Sequence, residues 1–445
     1  MKRSILLFAL LAISLIHAQD YHPPVDIPMQ LSGTFAELRG THFHAGIDIR
    51  TQGKQGLPLR AVADGYVSRI KIQQGGYGKA LYINHPNGVT SVYAHLQRYS
   101  PDIIPHVRKK QYSRKSYTIE FYPEPDQMPI KKGALIGFSG NTGSSFGPHL
   151  HFELRTSANQ IPFNPLLAND NIADTRKPII VQLIGYPIDG VINKSEEQIQ
   201  LAIIQKNDSV YVTDTIKAIG TIGFGVEHFD RQNESFFKNG AFKIDATINS
   251  TPRFEIQFDT LSFDDTSEMH KLIDYPLYID TKKKVMQLFN SHEAPVAFAN
   301  YTNNGLVDVV AGAQLTYTIK LSDVSGNNVY LRVPIEGKSE EVWVTKKSPL
   351  PGKMIYPKRD YMFELQDFSI YINAKTFSQP TPLNIEMDGD TLNISNDYAY
   401  FEKPYSLTLE KEKIPKGAYL ALKRSKRWGF VAKKNDKGQF SAKLK

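Results

Sequence analysis

The sequence contains no cysteine among its 445 residues. That absence excludes disulfide scaffolds, cysteine nucleophiles, cysteine-ligated zinc and iron–sulfur clusters, and it excludes a lipid anchor attached through cysteine. Apolar residues make up 41% of the chain and charged residues 22%, which is a globular rather than a disordered composition. At roughly 150 residues per domain, the length predicts about three domains.

Long apolar runs are also missing after the first 18 residues. Residues 1–18 combine Lys2 and Arg3, an apolar stretch from Ile5 to Ile16 and the small residue Ala18, which is the pattern of a cleaved secretory signal. The apolar stretch holds 12 residues, whereas a membrane span needs about 20. We therefore expect a mature chain without a transmembrane segment that acts outside the cytoplasm, in the periplasm, in the outer envelope or as a secreted protein.

The positive charge is confined to one end of the chain. The formal net charge is +8, and removal of Lys2 and Arg3 with the signal leaves +6. Residues 411–445 hold 12 Lys or Arg and 2 acidic residues, a net charge of +10. Residues 19–410 therefore carry a net charge of about −4. This distribution predicts no nucleic-acid partner, and it indicates attraction of a basic C-terminal tail to an anionic envelope surface.

Short apolar or alternating runs lie between turn signals such as Asn87-Gly88, so the chain is predicted to be mainly β. Leu201–Ile204 and Val210–Val212 flank an Asn-Asp turn and predict one hairpin. A clearer hairpin has apolar residues at every second position on both sides of the turn Asp323–Asn328: Leu315, Tyr317, Ile319 and Leu321 before it, and Val329, Leu331, Val333 and Ile335 after it.

Changes of composition divide the mature chain into three parts. The expected units are a domain over 19–172 with its core at about 30–165 and an insertion at 100–129, a β-sandwich-like module over 173–340, and a second β-rich module over 341–445. The chain ends directly after a strand-like stretch, as a truncated form of a longer protein would. In the second module, Asp230, Asp264 and Asp265 are interpreted as solvated turn residues rather than calcium ligands.

Histidine is concentrated in the first third of the chain. Of the 11 histidines outside the signal, eight lie between His22 and His151, so chemistry is expected there. Three segments carry the candidate residues: Thr41-His42-Phe43-His44-Ala45-Gly46-Ile47-Asp48, Tyr93-Ala94-His95-Leu96 and Gly147-Pro148-His149-Leu150-His151-Phe152-Glu153.

Strand alternation places His149, His151 and Glu153 on one face, with the intervening apolar residues on the other. Two imidazoles on one face serve a transition metal either as two ligands or as one ligand and a catalytic neighbour. His44 and Asp48 add an imidazole nitrogen and a carboxylate oxygen, which are standard zinc ligands. Two histidines and one carboxylate leave a coordination position open, as catalytic zinc sites do.

These segments resemble the lysostaphin-type (LytM-like) zinc metallopeptidases of bacterial cell walls. The resemblance covers roughly residues 30–165 and rests on a His-x-x-x-Asp, a later histidine in a strand and a His-x-His after a glycine-rich loop, which occur here in that order. It implies a peptidase domain built on an antiparallel sheet with one zinc ion per chain. The β-sandwich-like modules predicted above would follow this domain.

The resemblance also implies a role for each site residue. It makes His44, Asp48 and His151 the zinc ligands, and His95 and His149 the two catalytic histidines beside the metal. Which histidine acts as the base and which stabilises the oxyanion stays open.

Two neighbouring residues are alternatives to this set. His42 competes with His44 as a ligand, and only the His-x-x-x-Asp spacing favours His44. Glu153 is interpreted as a supporting carboxylate rather than as a general base.

The implied substrate is the peptide cross-link of peptidoglycan, reached through the peptide stems. The export signal and the lack of wall-anchor features favour a Gram-negative envelope and therefore a DD-endopeptidase. Two other functions remain open: a non-catalytic peptidoglycan-binding regulator of another hydrolase, which the complete ligand set disfavours, and a wall-binding adhesin with an accessory peptidase. The insertion at 100–129, rich in tyrosine and basic residues, is either a solvated hairpin or a groove wall.

Overall fold

The computed structural model describes residues 21–39, 42–168, 172, 174–233, 235–346, 352–389, 391–396, 399–410, 419–424, 427–433 and 439–444. The predicted signal peptide lies outside these residues. Strands dominate the described part, so the prediction of a mainly β chain is confirmed. None of the helices in those ranges has the length and apolar content needed to cross a bilayer.

The first domain is built around one large antiparallel sheet. Its strands are β1 (Leu31–Gly33), β2 (Leu38–Arg39), β3 (His42–Phe43), β4 (Ile47–Arg50), β5 (Pro58–Arg60), β6 (Gly65–Ile72), β7 (Lys79–Asn84), β8 (Val89–Ala94), β9 (Arg98–Tyr99), β10 (Ile119–Phe121), β11 (Pro129–Ile130), β12 (Leu135–Phe138), β13 (His149–Thr156) and β14 (Pro162–Phe163). The main sheet has the order β1-β4-β13-β8-β7-β6-β10, and β5-β12-β9 form a second, three-stranded sheet.

Strand β13 lies between β4 and β8 and has two different faces. Leu150, Phe152 and Leu154 point into the core of the domain and are buried, while the residues between them face the other side of the sheet. In the pairing of β13 with β4, His151 lies directly opposite Asp48. Gly46 permits this approach, because a Cβ atom there would lie 2.4 Å from the carbonyl oxygen of Phe152.

The insertion at 100–129 forms a helix followed by a strand, and the hairpin considered for it is wrong. Helix α1 (Ile104–Arg114) has proline in its first turn and ends at Lys115, which takes the left-handed conformation. Strand β10 then pairs with β6 at the sheet edge. Strands β6, β7 and β8 separate β10 from β13, so the insertion extends the sheet on the side away from the histidines.

The second module is a network of twelve strands around one large core. They are β15 (Ile179–Ile192), β16 (Ile199–Leu201), β17 (Ile204–Asn207), β18 (Val210–Val212), β19 (Ile216–Phe229), β20 (Lys243–Ile248), β21 (Thr251–Gln257), β22 (Met286–Gln287), β23 (Ala299–Tyr301), β24 (Val307–Val309), β25 (Gln314–Ser322) and β26 (Asn328–Gly337). Two short helices, α2 (Met269–Leu272) and α3 (Tyr275–Thr281), lie between β21 and β22.

Both predicted hairpins of this module are confirmed. Strands β17 and β18 pair antiparallel around the Asn-Asp turn, and the first strand of the hairpin is Ile204–Asn207 rather than the predicted Leu201–Ile204. Strands β25 and β26 pair so that Leu315 faces Ile335 and Leu321 faces Val329. In β25 and β26 the apolar residues of the alternation lie on a buried face, which fixes their pairing.

The first domain and the second module share a core. Phe35, Ala36 and Phe43, which belong to the first domain by sequence, pack in the hydrophobic cluster of the second module. The ring of Phe43 meets Phe298 edge-on with ring centroids 5.3 Å apart and tilts against Phe258 at 5.8 Å. The segment leading to His44 is therefore enclosed by the second module.

The third module has its own core. Its described residues form the strands β27 (Lys353–Ile355), β28 (Tyr361–Leu365), β29 (Phe368–Ile372), β30 (Thr381–Asp388), β31 (Thr391–Ser395), β32 (Tyr405–Leu409), β33 (Tyr419–Arg424), β34 (Arg427–Lys433) and β35 (Phe440–Leu444). The preceding segment still bonds to the second module, since Trp343 N–H donates to the Lys194 carbonyl at 2.8 Å and Lys346 N–H to Glu196 at 3.0 Å. Contact with the second module thus continues past residue 341.

The basic C-terminal region is not a free tail where the structure describes it. Strand β35 pairs antiparallel with β32, and Phe440 is buried in the third module. Strands β33 and β34 form a two-stranded hairpin. The expectation of a tail is wrong for β35, whose pairing with β32 and whose buried Phe440 make it part of the third module.

Candidate metal centre

Three side-chain atoms converge at the junction of β4 and β13. His44 Nε2 lies 3.1 Å from Asp48 Oδ1 and 3.0 Å from His151 Nδ1, and His151 Nδ1 lies 2.9 Å from Asp48 Oδ1. All three residues are buried. Among the described residues, this trio is one of two groups arranged to hold a metal ion.

The hydrogen bonds on the outer side of each ring show which atoms carry lone pairs. His44 Nδ1 donates to the Thr34 carbonyl oxygen at 2.8 Å, because a carbonyl only accepts. His151 Nε2 bonds to Glu153 Oε1 at 2.7 Å and donates there. In the neutral rings, His44 Nε2 and His151 Nδ1 therefore face each other and Asp48 as acceptors. Three acceptors at such distances repel one another unless a cation lies between them.

This donor set fits zinc. Two imidazole nitrogens and one carboxylate oxygen are zinc ligands, and a fourth position stays open. Each ligand is also held by a partner beyond the metal position, as metal-binding histidines usually are.

Arg39 completes the support of Asp48. Its Nη2 donates to Asp48 Oδ2 at 2.6 Å, which leaves Oδ1 directed at the two ring nitrogens. The guanidinium comes from β2, which pairs with β3 in a small hairpin before the ligand segment. No spacing rule in the sequence pointed to this arginine.

A buried ion pair supports His151. Glu153 is fully buried and accepts from Arg155 Nε at 2.6 Å, and the hydroxyl of Tyr77 also donates to it. Burial would raise the pKa of Glu153, but Arg155 and His151 lower it to about 2. Glu153 is thus a charged partner that orients His151. Arg155 continues the face of His149, His151 and Glu153, so alternation contained the signal for it.

His95 and His149 flank the trio and share one feature. His95 Nδ1 donates to the Thr142 carbonyl at 2.7 Å, and His149 Nδ1 donates to the Gly147 carbonyl at 2.8 Å. Their ring centroids are 4.8 Å apart, and His149 Nε2 lies 3.4 Å from Asp48 Oδ1. In the neutral rings both Nε2 atoms are therefore acceptors beside the metal position.

The backbone of His95 is held in an unusual conformation. Its φ is +61°, in the left-handed region that non-glycine residues seldom adopt. The glycine-rich loop before β13 maintains it, since Thr142 accepts from His95 and its hydroxyl donates to the Leu96 carbonyl at 3.0 Å. Burial and the charges of His151 and His149 lower the pKa of His95 to about 4. Strain of this kind is common at functional sites.

His42, the alternative to His44 as a ligand, does not belong to the metal centre. His42 is exposed on β3 and lies outside the converging group, whereas His44 is buried within it. Phe146, which the motifs did not single out, lies fully exposed in the loop three residues before His149.

Residues 42–116 match Peptidase family M23. The chain carries a lysostaphin-type domain of this family. The matched range includes His44, Asp48 and His95 and ends before His149 and His151.

Comparisons with individual proteins agree with this assignment. The DD-carboxypeptidase/endopeptidase Mpg of Neisseria meningitidis is 38% identical over 129 residues, which is 29% of this chain and 23% of that protein. The peptidoglycan DD-endopeptidase ShyC of Vibrio cholerae is 31% identical over 123 residues, or 28% of this chain and 21% of that protein. The chain therefore spans less than a quarter of the length of these relatives.

Among solved structures, the catalytic domain of the antimicrobial peptidase lysostaphin from Staphylococcus simulans matches 31% of this chain and 90% of its own, with 23% identity and a TM-score of 0.21.

Proposed function

We propose that the chain is a zinc-dependent endopeptidase that hydrolyses peptide cross-links of peptidoglycan outside the cytoplasm. The observation that carries the proposal is the convergence of His44 Nε2, Asp48 Oδ1 and His151 Nδ1 within 2.9–3.1 Å, each held from behind by a separate partner. A regulator that only binds peptidoglycan would not need such support for ligand atoms. The names of the M23 relatives agree with peptidoglycan as the substrate.

His44, Asp48 and His151 would hold the metal. When bound there, zinc supplies a Lewis acid that polarises the scissile carbonyl and makes water a better nucleophile at neutral pH. The tautomers of both ligand histidines are set by Thr34 and Glu153, so the lone pairs point inward before any metal arrives.

His95 and His149 would move the proton. Because each Nδ1–H is already donated to a backbone carbonyl, each ring accepts at Nε2 when neutral and donates at Nε2 when protonated. One ring takes the proton from the attacking water, and a protonated ring donates to the carbonyl oxygen or to the leaving amine. The equivalent Nδ1 contacts do not distinguish the two roles.

A DD-endopeptidase is the favoured specificity, because both relatives named above carry DD-peptidase names. Phe146 is exposed in the loop three residues before His149, and its ring would contact a peptide stem. The described insertion at 100–129 lies at the far sheet edge and is not required for that contact. Basic side chains of the third module would add attraction to an anionic envelope surface.

Mass spectrometry of muropeptides tests the proposal. Purified peptidoglycan is incubated with the mature chain, with and without a zinc chelator, and then digested to muropeptides. We expect cross-linked dimers to be converted to monomers with new free amino groups, and the chelator to prevent this. Binding to peptidoglycan without any cleavage by zinc-loaded protein would contradict the proposal and favour the regulator or the adhesin.

A further inference from the structure

A second group of potential ligands lies at the junction of the first domain and the second module. Asp174, Asp230 and Asp323 place carboxylate oxygens that all lie within 4.8 Å of one another. They come from the linker before β15, the end of β19 and the turn between β25 and β26. All three line one cavity of about 430 Å³, together with Leu31 and Thr34 of the first domain.

Asn239 adds a neutral oxygen to this cavity. Its backbone pairs with Asp230 in an antiparallel bridge, with N–H to carbonyl distances of 2.8 and 2.9 Å. That pairing places the two side chains next to each other on one face. Asn239 is 4% exposed and Asp230 is 6% exposed, and both line the cavity.

The inner oxygens of these two residues have no hydrogen-bond partner in the part of the chain that the structure describes. Asn239 Oδ1 and Asp230 Oδ1 are both buried, and neither finds a hydrogen-bond donor among the described residues. Buried acceptors are rarely left in this state without an ion or water. Within the described part of the chain, none of the three carboxylates forms an ion pair with a lysine, arginine or histidine.

Three carboxylates therefore share this cavity, and the charge of Arg176 acts on Asp174 and Asp230. Burial, and then the charges of Asp323 and Asp174, raise the pKa of Asp230 to about 7. Burial likewise raises the pKa of both Asp174 and Asp323. The side chain of Asn327 and backbone N–H groups already bind Asp323 and fix its carboxylate at the turn. The remaining lone pairs face the cavity.

We propose that Asp174, Asp230, Asp323 and Asn239 bind one calcium ion that joins the second module to the linker beside the first domain. The site contains only oxygen ligands, which is the set that calcium takes. Calcium–oxygen distances of about 2.3–2.6 Å place ligands on opposite sides of the ion about 5 Å apart, so oxygens that lie within 4.8 Å of one another can share one ion. Magnesium requires shorter, near-octahedral contacts and is expected to bind more weakly.

The ion would lie close to the support of the metal centre. Gln232 and Thr34 line the same cavity. Gln232 Oε1 accepts from Leu31 N–H at 2.9 Å, and Thr34, whose carbonyl orients His44, accepts from Gly240 N–H through its hydroxyl at 3.1 Å. The junction that the calcium ion would stiffen is therefore one that holds a metal ligand in position.

Calorimetric titration of the full mature chain tests the site. The protein is first freed of metal and reloaded with one zinc, so that calcium cannot enter the His44 site, and then titrated with CaCl2 or MgCl2. We expect one calcium per chain, weaker magnesium binding, and a loss of calcium affinity of at least about tenfold in both Asp230→Asn and Asp174→Asn. Asp264→Asn, an exposed carboxylate of the same module, is the matched control and should bind calcium normally.

Thermal unfolding gives a second readout that does not depend on enzymatic activity. Without calcium, Asp230→Asn should unfold at the same or a higher temperature than the wild type, because it removes a disfavoured buried charge. With calcium, only the wild type and Asp264→Asn should gain stability. The proposal would be overturned if the chain bound no calcium, if both cavity variants bound calcium as the wild type does, or if magnesium bound more tightly. It would also be overturned if calcium-free Asp230→Asn were less stable than the calcium-free wild type.

Discussion

Phe43 is the residue through which the second module most directly holds the metal centre. It is 1% exposed, lies next to His44 in sequence, and packs between Phe258 and Phe298. Replacing it with alanine removes the ring that fills this space and leaves the backbone of the ligand segment without its anchor.

The expected cost follows from the burial. Truncation of a fully buried phenylalanine to alanine lowers the free energy of unfolding by about 3–5 kcal/mol, and the two aromatic contacts place Phe43→Ala in the upper part of that range. Loss of a supporting contact to a metal ligand weakens metal binding by about 10- to 100-fold. We therefore expect Phe43→Ala to lose both stability and zinc affinity.

Urea unfolding and competition with a chromogenic zinc chelator measure the two effects separately. Phe377→Ala is the matched control, because Phe377 is also 1% exposed and packs on another ring, Phe401, but in the third module. It should lose comparable stability in that module and retain wild-type zinc affinity. Equal zinc affinity in both variants would refute the idea that the second module positions His44.

Four further predictions concern the site and the stability of the chain. His44→Ala should lose zinc and activity together, whereas His149→Ala should keep zinc and lose activity; metal analysis beside the muropeptide assay decides, and full hydrolysis by His149→Ala would remove its catalytic role. Glu153→Gln leaves a buried arginine without its counter-charge and should cost about 3–5 kcal/mol in urea unfolding together with zinc affinity. Burial, and then the charges of His270 and Lys271, lower the pKa of His292 to about 4. Because His292 binds a proton near pH 6.5 in the unfolded chain, the folded chain should lose stability as the pH falls from about 6.5 to 4. His292→Gln should reduce that loss of stability between pH 7 and 5. Phe146→Ala should raise KM on peptidoglycan fragments with little change in kcat, and an unchanged KM would place the substrate elsewhere.

Local spacing predicted much of the site. Two-residue alternation identified the shared face of His149 and His151, and the structure places both beside Asp48. Alternation also predicted the hairpin of β25 and β26, in which the structure pairs Leu321 with Val329. These features depend on neighbouring residues and on which side of a strand is buried.

Other features depended on residues distant in sequence. The charged sequence at 100–129 did not indicate helix α1, whose apolar side buries only Val107. The acidic residue Asp230 was grouped with Asp264 and Asp265 by sequence, but the fold buries it beside Asp174 and Asp323. Charge patterns alone do not show which carboxylates are removed from water.

The sequence by itself determined the kinds of ligand, the strand faces that carry them and the family of the first domain, because period-two alternation and short spacings act within one strand. Tertiary structure alone decided that Arg39 sets the orientation of Asp48, and that the second module encloses the segment before His44. Each of these depends on packing between segments far apart in the chain, and such packing is selected by the burial of whole faces rather than by any local pattern.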